Sequence, residues 1–295
     1  MKLRSIELVL PNAGDAAAFL TDIWGTKLAG VQNNTHYIRG SGSFPYLAAL
    51  QEGNESFVRS VTYVCSEQEL ATLRKNVSAR GLNATNVVAE DLGGGHGIIV
   101  ELEEGELFRF LVDSEEVDTI DDPDLPVKLT HVVCNSEDAE KSGHLVEDVL
   151  NFTVSDRTKG MVFVRCNASH HSTAFARAGF SSLNHIAFEM QDVDAVMRGV
   201  GRLRDFNYAP AWGPGRHGPG DNVFAYFIAP FGAVVEFSTA VEIVPDDYQA
   251  GAPEDWTWPA NRIDQWGLSD KDFDGLKEAE AKFRFKRTWT PQTIA

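Results

Sequence analysis

Three short apolar stretches are each interrupted by one ionisable residue: Leu129-Thr-His-Val-Val133, Leu183-Asn-His-Ile-Ala-Phe188 and Ala233-Val-Val-Glu-Phe237. Their β-branched and aromatic residues predict β-strands. The ionisable residue is a histidine in the first two stretches and a glutamate in the third. Imidazoles and carboxylates are costly to bury in an apolar sheet without partners, so these three positions call for an explanation.

Strand geometry indicates what surrounds these residues. Successive side chains of a strand point to opposite faces, so each residue shares a face with its second neighbours. The predicted faces join His131 with Leu129 and Val133, His185 with Leu183 and Ala187, and Glu236 with Val234. Brought together, His131, His185 and Glu236 would form a two-histidine, one-carboxylate triad, which leaves positions open on a divalent metal such as Fe(II).

The composition is that of an ordinary globular protein: 295 residues, of which 43% are apolar and 23% charged. A formal net charge of -17 argues against nucleic acid or an anionic membrane as a partner, because both require basic surface. The N-terminus lacks a signal-peptide pattern, and no apolar run approaches membrane-spanning length. Cys65, Cys134 and Cys166 have no close cysteine partner, as expected for reduced thiols of a cytoplasmic protein.

The chain repeats its own pattern. Leu3-Arg-Ser-Ile-Glu-Leu-Val-Leu10 is followed by a helix-like stretch that stops at Gly25, and Val127-Lys-Leu-Thr-His-Val-Val-Cys134 by one over residues 136–149. Each half splits again, because further strand patterns begin at Arg59 and Ser182 and each precedes a helix-like run. The spacing of Ser66 and Glu69 predicts a capping box, and Asp192 is a predicted N-cap.

This pattern predicts an α+β protein of two tandem domains, each built from two β-α-β-β-β modules. The predicted boundaries are an N-terminal non-catalytic domain over residues 1–113, a linker over 114–127, a C-terminal metal-binding domain over 128–240 and a tail over 241–295. The linker is acidic and contains prolines. The tail carries Trp256, Trp258 and Trp266, so we expect it to pack on the body of the protein.

Comparison of the halves indicates where a metal binds. Aligning their patterns places Glu7 opposite His131, Thr62 or Tyr63 opposite His185, and Arg109 opposite Glu236. Arginine is a permanent cation and cannot act as a ligand. We therefore expect a metal in the C-terminal domain only.

The C-terminal half resembles the vicinal oxygen chelate superfamily and, more narrowly, the type I extradiol ring-cleaving dioxygenases. The resemblance covers almost all of this half; the N-terminal half matches in architecture only. Its most specific motifs are Phe163-Val-Arg-Cys-Asn-Ala-Ser-His-His-Ser-Thr-Ala-Phe-Ala, Leu183-Asn-His, Gly213-Pro-Gly-Arg-His-Gly-Pro-Gly-Asp-Asn-Val-Phe-Ala-Tyr-Phe and Val-Val-Glu236-Phe.

The resemblance implies a cytoplasmic homo-oligomer with cupped mixed sheets, which cleaves a catechol beside its diol with O2 in the catabolism of aromatic compounds. It implies Fe(II), or in some members Mn(II), held by His131, His185 and Glu236. It further implies that His171 is the acid-base residue, and that His217 and Tyr226 hydrogen-bond the substrate. Asn184 departs from the pattern, because some relatives have histidine there, and the stretch between His171 and His185 is one residue shorter than in some.

The chemistry justifies these residue types. A catechol must lose a proton and reduced oxygen must gain one, which suits a histidine that titrates near neutrality. A tyrosine hydroxyl and an imidazolium are suitable donors to a developing oxyanion. Two alternatives stay open: a lyase or isomerase that uses the metal as a Lewis acid, and a ligand-binding resistance protein. Also open are the catechol itself (bicyclic, monocyclic or trihydroxylated), Fe(II) versus Mn(II), the side of cleavage and the oligomeric state.

Overall fold

The computed structural model describes residues 1–286, which form two consecutive halves of the same design. The first module consists of β1 (Lys2–Leu10), α1 (Ala13–Ala18), β2 (Lys27–Gln32), β3 (Thr35–Arg39) and β4 (Ala48–Glu52). After α1 the chain continues as a wider π-helical segment over Phe19–Trp24. This segment ends at Gly25, which has a positive φ of 93°. The second module consists of β5 (Phe57–Val64), α2 (Glu67–Arg80), β6 (Ala84–Val88), β7 (His96–Glu101) and β8 (Leu107–Val112).

The second half repeats the design. Its first module consists of β9 (Lys128–Ser136), α3 (Ala139–Leu150), β10 (Thr153–Arg157), β11 (Met161–Arg165) and β12 (Thr173–Arg177). Its second consists of β13 (Ser182–Glu189), α4 (Val193–Asp205), β14 (Trp212–Arg216), β15 (Val223–Ile228) and β16 (Val234–Thr239). A further helix, α5 (Phe273–Glu280), lies in the C-terminal segment.

Each half forms one eight-stranded mixed sheet. The strand orders are β2-β3-β4-β1-β5-β8-β7-β6 and β10-β11-β12-β9-β13-β16-β15-β14. In every module the first and last strands pair in parallel, and the modules join through antiparallel pairing of their first strands. The predicted α+β class, with two tandem domains of two modules each, is confirmed. Residues 113–127, between the sheets, contain no helix or strand.

Local sequence signals explain where the helices begin. The Ser66 side chain accepts a hydrogen bond from the Glu69 amide, and the Glu69 carboxylate accepts one from the Ser66 amide. The Asp192 carboxylate accepts from the amide of Ala195. Both predicted N-caps are therefore confirmed, and each satisfies backbone donors that the first helical turn leaves free.

One continuous apolar core joins the two halves and includes residues of helices α1 to α4. Trp24 from the first half stacks on Phe237 of β16 with ring centroids 3.7 Å apart. The hydroxyl of Tyr63 in β5 hydrogen-bonds Thr173 in β12. Because helices and core occupy one face of each sheet, the opposite face is left to form a cup lined by polar residues.

The register of the sheets shows which residues of the two halves correspond. In the second half, a ladder runs from His131 through Ala187 to Glu236. The matching ladder of the first half runs from Ser5 through Thr62 to Arg109. The predicted equivalence of Arg109 and Glu236 is thus confirmed.

The predicted equivalence of Glu7 and His131 is wrong by two residues. Glu7 pairs with Ser60, as Val133 pairs with His185, so Ser60 holds the position of His185. β-Bulges interrupt β1 and β9, and β5 and β13, at corresponding places, so they do not shift one half against the other. The error arises because the two strands were matched through their ionisable residues, and Glu7 lies two residues beyond Ser5. The first cup therefore has serine hydroxyls where the second has imidazoles.

The C-terminal segment after β16 packs on the second half, and its last described residues, Arg284 and Lys286, also contact Phe57 and Glu55 of the first half. Residues 287–295 of the predicted tail lie outside the described range. Isolated β-bridges join it to the body at Ser169 with Ile243, Asp156 with Gly251, and Ser182 with Arg284. Cys65, Cys134 and Cys166 are free thiols. Within residues 1–286, no helix has the length and apolar character needed to span a bilayer.

Candidate metal and active site

Two β-bulges aim the histidines into the second cup. The extra residue is Thr130 in β9 and Asn184 in β13, each next to one histidine. Across each bulge the alternation of faces breaks, and Leu129 and Leu183 join the apolar core instead of the cup. The predicted shared faces of His131 with Leu129 and of His185 with Leu183 are therefore wrong. Bulges recur beside functional sites because they redirect a side chain.

His131, His185 and Glu236 meet at the floor of the cup, buried to at least 95%. Glu236 Oε2 lies 3.0 Å from His131 Nε2 and 3.1 Å from His185 Nε2. The two Nε2 atoms are 3.3 Å apart. Three ligand-type atoms thus form a nearly equilateral triangle.

This triangle fits a divalent metal. Nitrogen and oxygen ligands lie about 2.0–2.2 Å from such ions, so neighbouring ligands at right angles are roughly 3 Å apart. Three atoms on one face of an octahedron leave the opposite positions for other ligands. The donor set of two imidazoles and one carboxylate therefore suits Fe(II) or Mn(II), and His131, His185 and Glu236 would hold the ion.

The electrostatics favour the form of the triad that binds a cation. Burial would raise the pKa of Glu236, but the facing His131 and His185 lower it well below its usual range. Burial lowers the pKa of His185, and Glu236 only partly offsets this. The carboxylate is therefore ionised and the His185 imidazole neutral near pH 7, as metal ligation requires.

Two asparagines orient the ligands. Asn184 Oδ1 lies 2.6 Å from His185 Nδ1, where it accepts the ring N–H and leaves Nε2 for the triad. Its amide donates in turn to Asn135, at 2.8 Å. On the other side, Asn222 donates to Glu236 Oε1 at 3.3 Å. Outer contacts of this kind fix the tautomer and position of a ligand, which gives the departure at Asn184 a physical role.

His171 lies against the triad but is not part of it. Its ring centroid is 4.3 Å from that of His131, and it lines the same cavity. Its Nδ1 is 3.0 Å from Nδ1 of His170, so Nε2 is the nitrogen left for a group in the cavity. Burial, followed by the neighbouring His131 and His170, lowers the pKa of His171 well below its usual range. A neutral imidazole at this place can accept a proton.

His217 and Tyr226 form the opposite wall of the cavity, with His217 Nε2 3.0 Å from the Tyr226 hydroxyl. His217 stacks on Phe224 with ring centroids 4.0 Å apart. Burial lowers the pKa of His217 to about 3, and burial and then Glu236 raise the pKa of Tyr226 well above its usual range. Tyr226 therefore keeps its hydroxyl proton and can donate it in a hydrogen bond. All six predicted site residues thus lie in or beneath one cavity.

The cavity has a volume of about 760 Å³. Its upper wall comes from the C-terminal segment, which contributes Trp258, Ile263, Phe273 and Lys271 among others. Lys271 lies over the Trp212 ring, with Nζ 4.2 Å from the centroid. The predicted involvement of tryptophans was the only sequence signal for this wall, and it did not identify α5.

The first cup has a cavity of about 810 Å³ but a different floor. Arg109 Nη2 lies 2.6 Å from Asp91 and 3.1 Å from Glu7. Ser5 and Ser60 each donate a hydrogen bond to Glu7, at 2.6 and 2.7 Å. An internal ion pair therefore occupies the place of the triad.

Sequence reasoning missed two groups at the site. One is the pair of asparagines, because asparagine in a strand carries no signal of its own. The other is the hydrogen-bonded pair of Asp156 and His170, both of which are fully buried behind His171. The adjacent histidines were visible in the sequence, but Asp156 is distant along the chain and only the fold brings it close.

Comparison with known proteins agrees with the fold and the site. The profile of the Glyoxalase/Bleomycin resistance protein/Dioxygenase superfamily matches residues 128–237. A Mn(II)-bound glyoxalase from Novosphingobium aromaticivorans is 30% identical, with a TM-score of 0.86 over 93% of each chain. Metapyrocatechase 2 from Cupriavidus necator is 24% identical over 75% of each chain. Homoprotocatechuate 2,3-dioxygenase from Brevibacterium fuscum has a TM-score of 0.77 at 17% identity, covering 85% of this chain and 75% of its own.

The chain therefore belongs to the Glyoxalase/Bleomycin resistance protein/Dioxygenase superfamily, also called the vicinal oxygen chelate superfamily. Within it, the two-domain architecture and the named relatives confirm the resemblance to type I extradiol dioxygenases.

Proposed function

We propose that this protein is an extradiol dioxygenase that cleaves a catechol-type diol with O2 at a mononuclear Fe(II) or Mn(II) centre, in the breakdown of aromatic compounds. The observation that carries the proposal is the presence in one cavity of the triad, His171 and the His217–Tyr226 pair. A triad alone would suit many metal enzymes, whereas the proton-transfer and hydrogen-bonding groups suit a substrate with adjacent hydroxyls.

A bound divalent metal would supply open positions for a chelating diol and O2 and a route for electron density between them. The side chains supply the rest. His171 Nε2 accepts a proton from a substrate hydroxyl and later returns one to reduced oxygen. Tyr226 donates a hydrogen bond to a substrate oxygen, and the half-buried His217 fixes the direction of that hydroxyl.

A second candidate is a non-redox lyase or isomerase that uses the metal as a Lewis acid. It is favoured by the 30% identical relative described as a glyoxalase with Mn(II) bound. Such an enzyme would not consume O2, and it would have no need of a hydroxyl-binding pair beside an acid-base histidine.

The deciding experiment is anaerobic reconstitution of the full chain with Fe(II), and separately with Mn(II). A panel of bicyclic, monocyclic and trihydroxylated catechols is then added, followed by O2. The proposal expects O2 uptake equal to the diol consumed and a yellow ring-opened product. Reconstituted protein that consumes no O2 with any diol would contradict the proposal, and turnover of an added substrate under nitrogen would favour the second candidate.

A further inference from the structure

We propose that Asp156 and His170 are positioning residues that fix the tautomer of His171, so that the Nε2 lone pair of His171 faces the cavity. The catalytic consequence rests on the proposed function, in which His171 accepts a substrate proton. The assignment of the His171 tautomer does not depend on the proposed function. It rests on a buried chain of three side chains that the chemistry of the triad leaves unused.

The chain of contacts is continuous. His170 Nε2 lies 2.5 Å from Asp156 Oδ2, and both side chains are completely buried. His170 Nδ1 lies 3.0 Å from His171 Nδ1. Both nitrogens of the middle ring are therefore committed, one to the carboxylate and one to the residue at the cavity.

Asp156 is surrounded by donors. Its Oδ1 accepts a hydrogen bond from the Gly251 amide at 2.6 Å, and the Tyr248 hydroxyl lies 3.3 and 3.4 Å from its two oxygens. An ionised carboxylate is an acceptor only, so Asp156 accepts the hydrogen bond in each of these contacts and in the contact with His170. A bulge at Ser155 in β10 brings the carboxylate to this place.

The Asp156 carboxylate determines which nitrogen of His170, and then of His171, carries the proton. Because Asp156 can only accept, a neutral His170 ring carries its proton on Nε2, and its Nδ1 is then an acceptor. His171 must therefore carry its proton on Nδ1 in order to donate to His170. The Nε2 of His171 is left with a lone pair, which is what a group that removes a proton from a hydroxyl requires. When a substrate proton adds to Nε2, the cationic ring keeps its hydrogen bond toward the anionic Asp156.

The two rings have little room to rearrange. The His170 amide donates to the Glu242 carbonyl at 2.8 Å. Gly220, with a φ of +75°, packs so closely that a Cβ there would lie 3.0 Å from atoms of both His170 and His171. The Phe163 ring packs against His171 at 5.2 Å. Such packing holds a single arrangement, as expected where geometry and not only burial matters.

Asp156→Asn should reverse the donor and acceptor roles along the hydrogen bonds from residue 156 through His170 to His171, with almost no change of side-chain shape. The Gly251 amide keeps the Asn oxygen on its side, so the Asn NH2 group faces His170 Nε2. That nitrogen must then accept, His170 becomes protonated on Nδ1, and His171 Nδ1 must accept in turn. His171 is left with its proton on Nε2, and the lone pair toward the cavity is lost. Asp264→Asn is the matched control, because Asp264 is also fully buried and accepts two backbone hydrogen bonds, at 2.7 Å from Trp266 and Gly267.

The first test is structural. The full chain is loaded with Zn(II), which is diamagnetic, and long-range ¹H–¹⁵N correlation spectra report which nitrogen of each ring is protonated. The parent and Asp264→Asn proteins should show His171 protonated on Nδ1, and Asp156→Asn should show it on Nε2. A parent protein with His171 protonated on Nε2 would overturn the proposal even if the Asp156 variant did not fold. An unchanged His171 tautomer in folded Asp156→Asn would overturn it equally.

The second test is kinetic. With an accepted diol, Asp156→Asn should lower kcat by about 10–100-fold with KM unchanged, the usual effect of an outer contact on a reacting group. In a His171→Asn background, adding Asp156→Asn should cause no further loss, because the group that it positions is gone. The same fractional loss in both backgrounds would refute positioning through His171. If no diol supports O2 uptake, the proposed function fails, while the spectra still decide the tautomer.

Discussion

Replacing Glu236 with Gln should remove tight metal binding while preserving the fold. Its Oε2 lies 3.0 and 3.1 Å from the two Nε2 atoms, so it is the anionic corner of the triangle. The amide keeps the shape but has no charge. Changes to groups that merely orient a ligand cost 10–100-fold in metal affinity, so loss of the charged ligand should cost at least about 100-fold, or about 2.8 kcal/mol.

The assay is equilibrium dialysis of metal-free protein against Mn(II), with metal and protein measured in each chamber. Glu280→Gln is the matched control, because Glu280 lines the same cavity but lies outside the triad. The parent and the control should hold one metal per chain at a free metal concentration that leaves Glu236→Gln empty. Parent-like affinity in Glu236→Gln would refute the assignment of the ligands. Two tightly held metals per chain would refute the argument that Arg109 prevents binding in the first cup.

Three further predictions concern catalysis, stability and the C-terminal segment. His171→Phe should keep its metal but lower turnover by about 10²–10⁴-fold, measured as O2 uptake. The control His144→Phe, on the exposed face of α3, should leave turnover unchanged. Loss of metal from His171→Phe would show that His171 is a ligand instead. Glu7→Gln should lower the free energy of unfolding at pH 7 by about 3–5 kcal/mol in urea titrations, because it leaves a buried guanidinium short of a partner. Burial would raise the pKa of the Glu7 carboxyl, but Arg109 and Arg4 lower it below the unfolded pKa of about 4.3. The parent should therefore be more stable than Glu7→Gln above about pH 4.3, and the difference in unfolding free energy should vanish as the pH falls further. A variant as stable as the parent at pH 7 would contradict this prediction. Truncation after residue 244 removes the upper wall of the cavity and should reduce activity or solubility, which sedimentation and O2 uptake would show; a soluble, fully active truncation would make the segment dispensable.

The parts of the fold that depend on local signals could be predicted from the sequence. The helix starts at Ser66 and Asp192 follow from side chains that cap backbone amides within three residues. The four modules follow from the order of strand and helix patterns. The triad itself could be predicted because ionisable residues in apolar strands are rare unless they meet partners.

The bulges could not be predicted, and they account for the wrong faces assigned beside His131 and His185. Thr130 and Asn184 look like ordinary strand residues, yet each adds one position and reverses which neighbours face the cup. A separate error matched Glu7 to His131 because both are ionisable residues of a first strand, whereas the register places Ser5 there. Alternation fixes a face only until the first bulge, and bulges concentrate where function requires a redirected side chain.

The two cups show two solutions to one physical problem. Each sheet directs polar side chains into a concave, largely buried floor, where unpaired polar groups are costly. In the first cup, the guanidinium of Arg109 is offset by the carboxylates of Glu7 and Asp91, so the floor is complete without a ligand.

In the second cup, within residues 1–286, the ion-pair contacts of Glu236 are with His131 and His185 only, while Lys271 of the same cavity lies over the Trp212 ring. Glu236 faces two imidazoles, and because the His185 ring is neutral near pH 7, that ring does not offset the negative charge of the carboxylate. A bound divalent cation would offset that charge, and the three ligand atoms already lie 3.0–3.3 Å apart, as binding to one ion would require. Exchanging Arg109 alone for a carboxylate would not create a second metal site, because Ser5 and Ser60 offer hydroxyls where His131 and His185 offer imidazoles. The new carboxylate would be a third anion beside Glu7 and Asp91, with Arg4 as the remaining cation in contact with them. The asymmetry between the halves is therefore a property of the whole floor and not of a single residue.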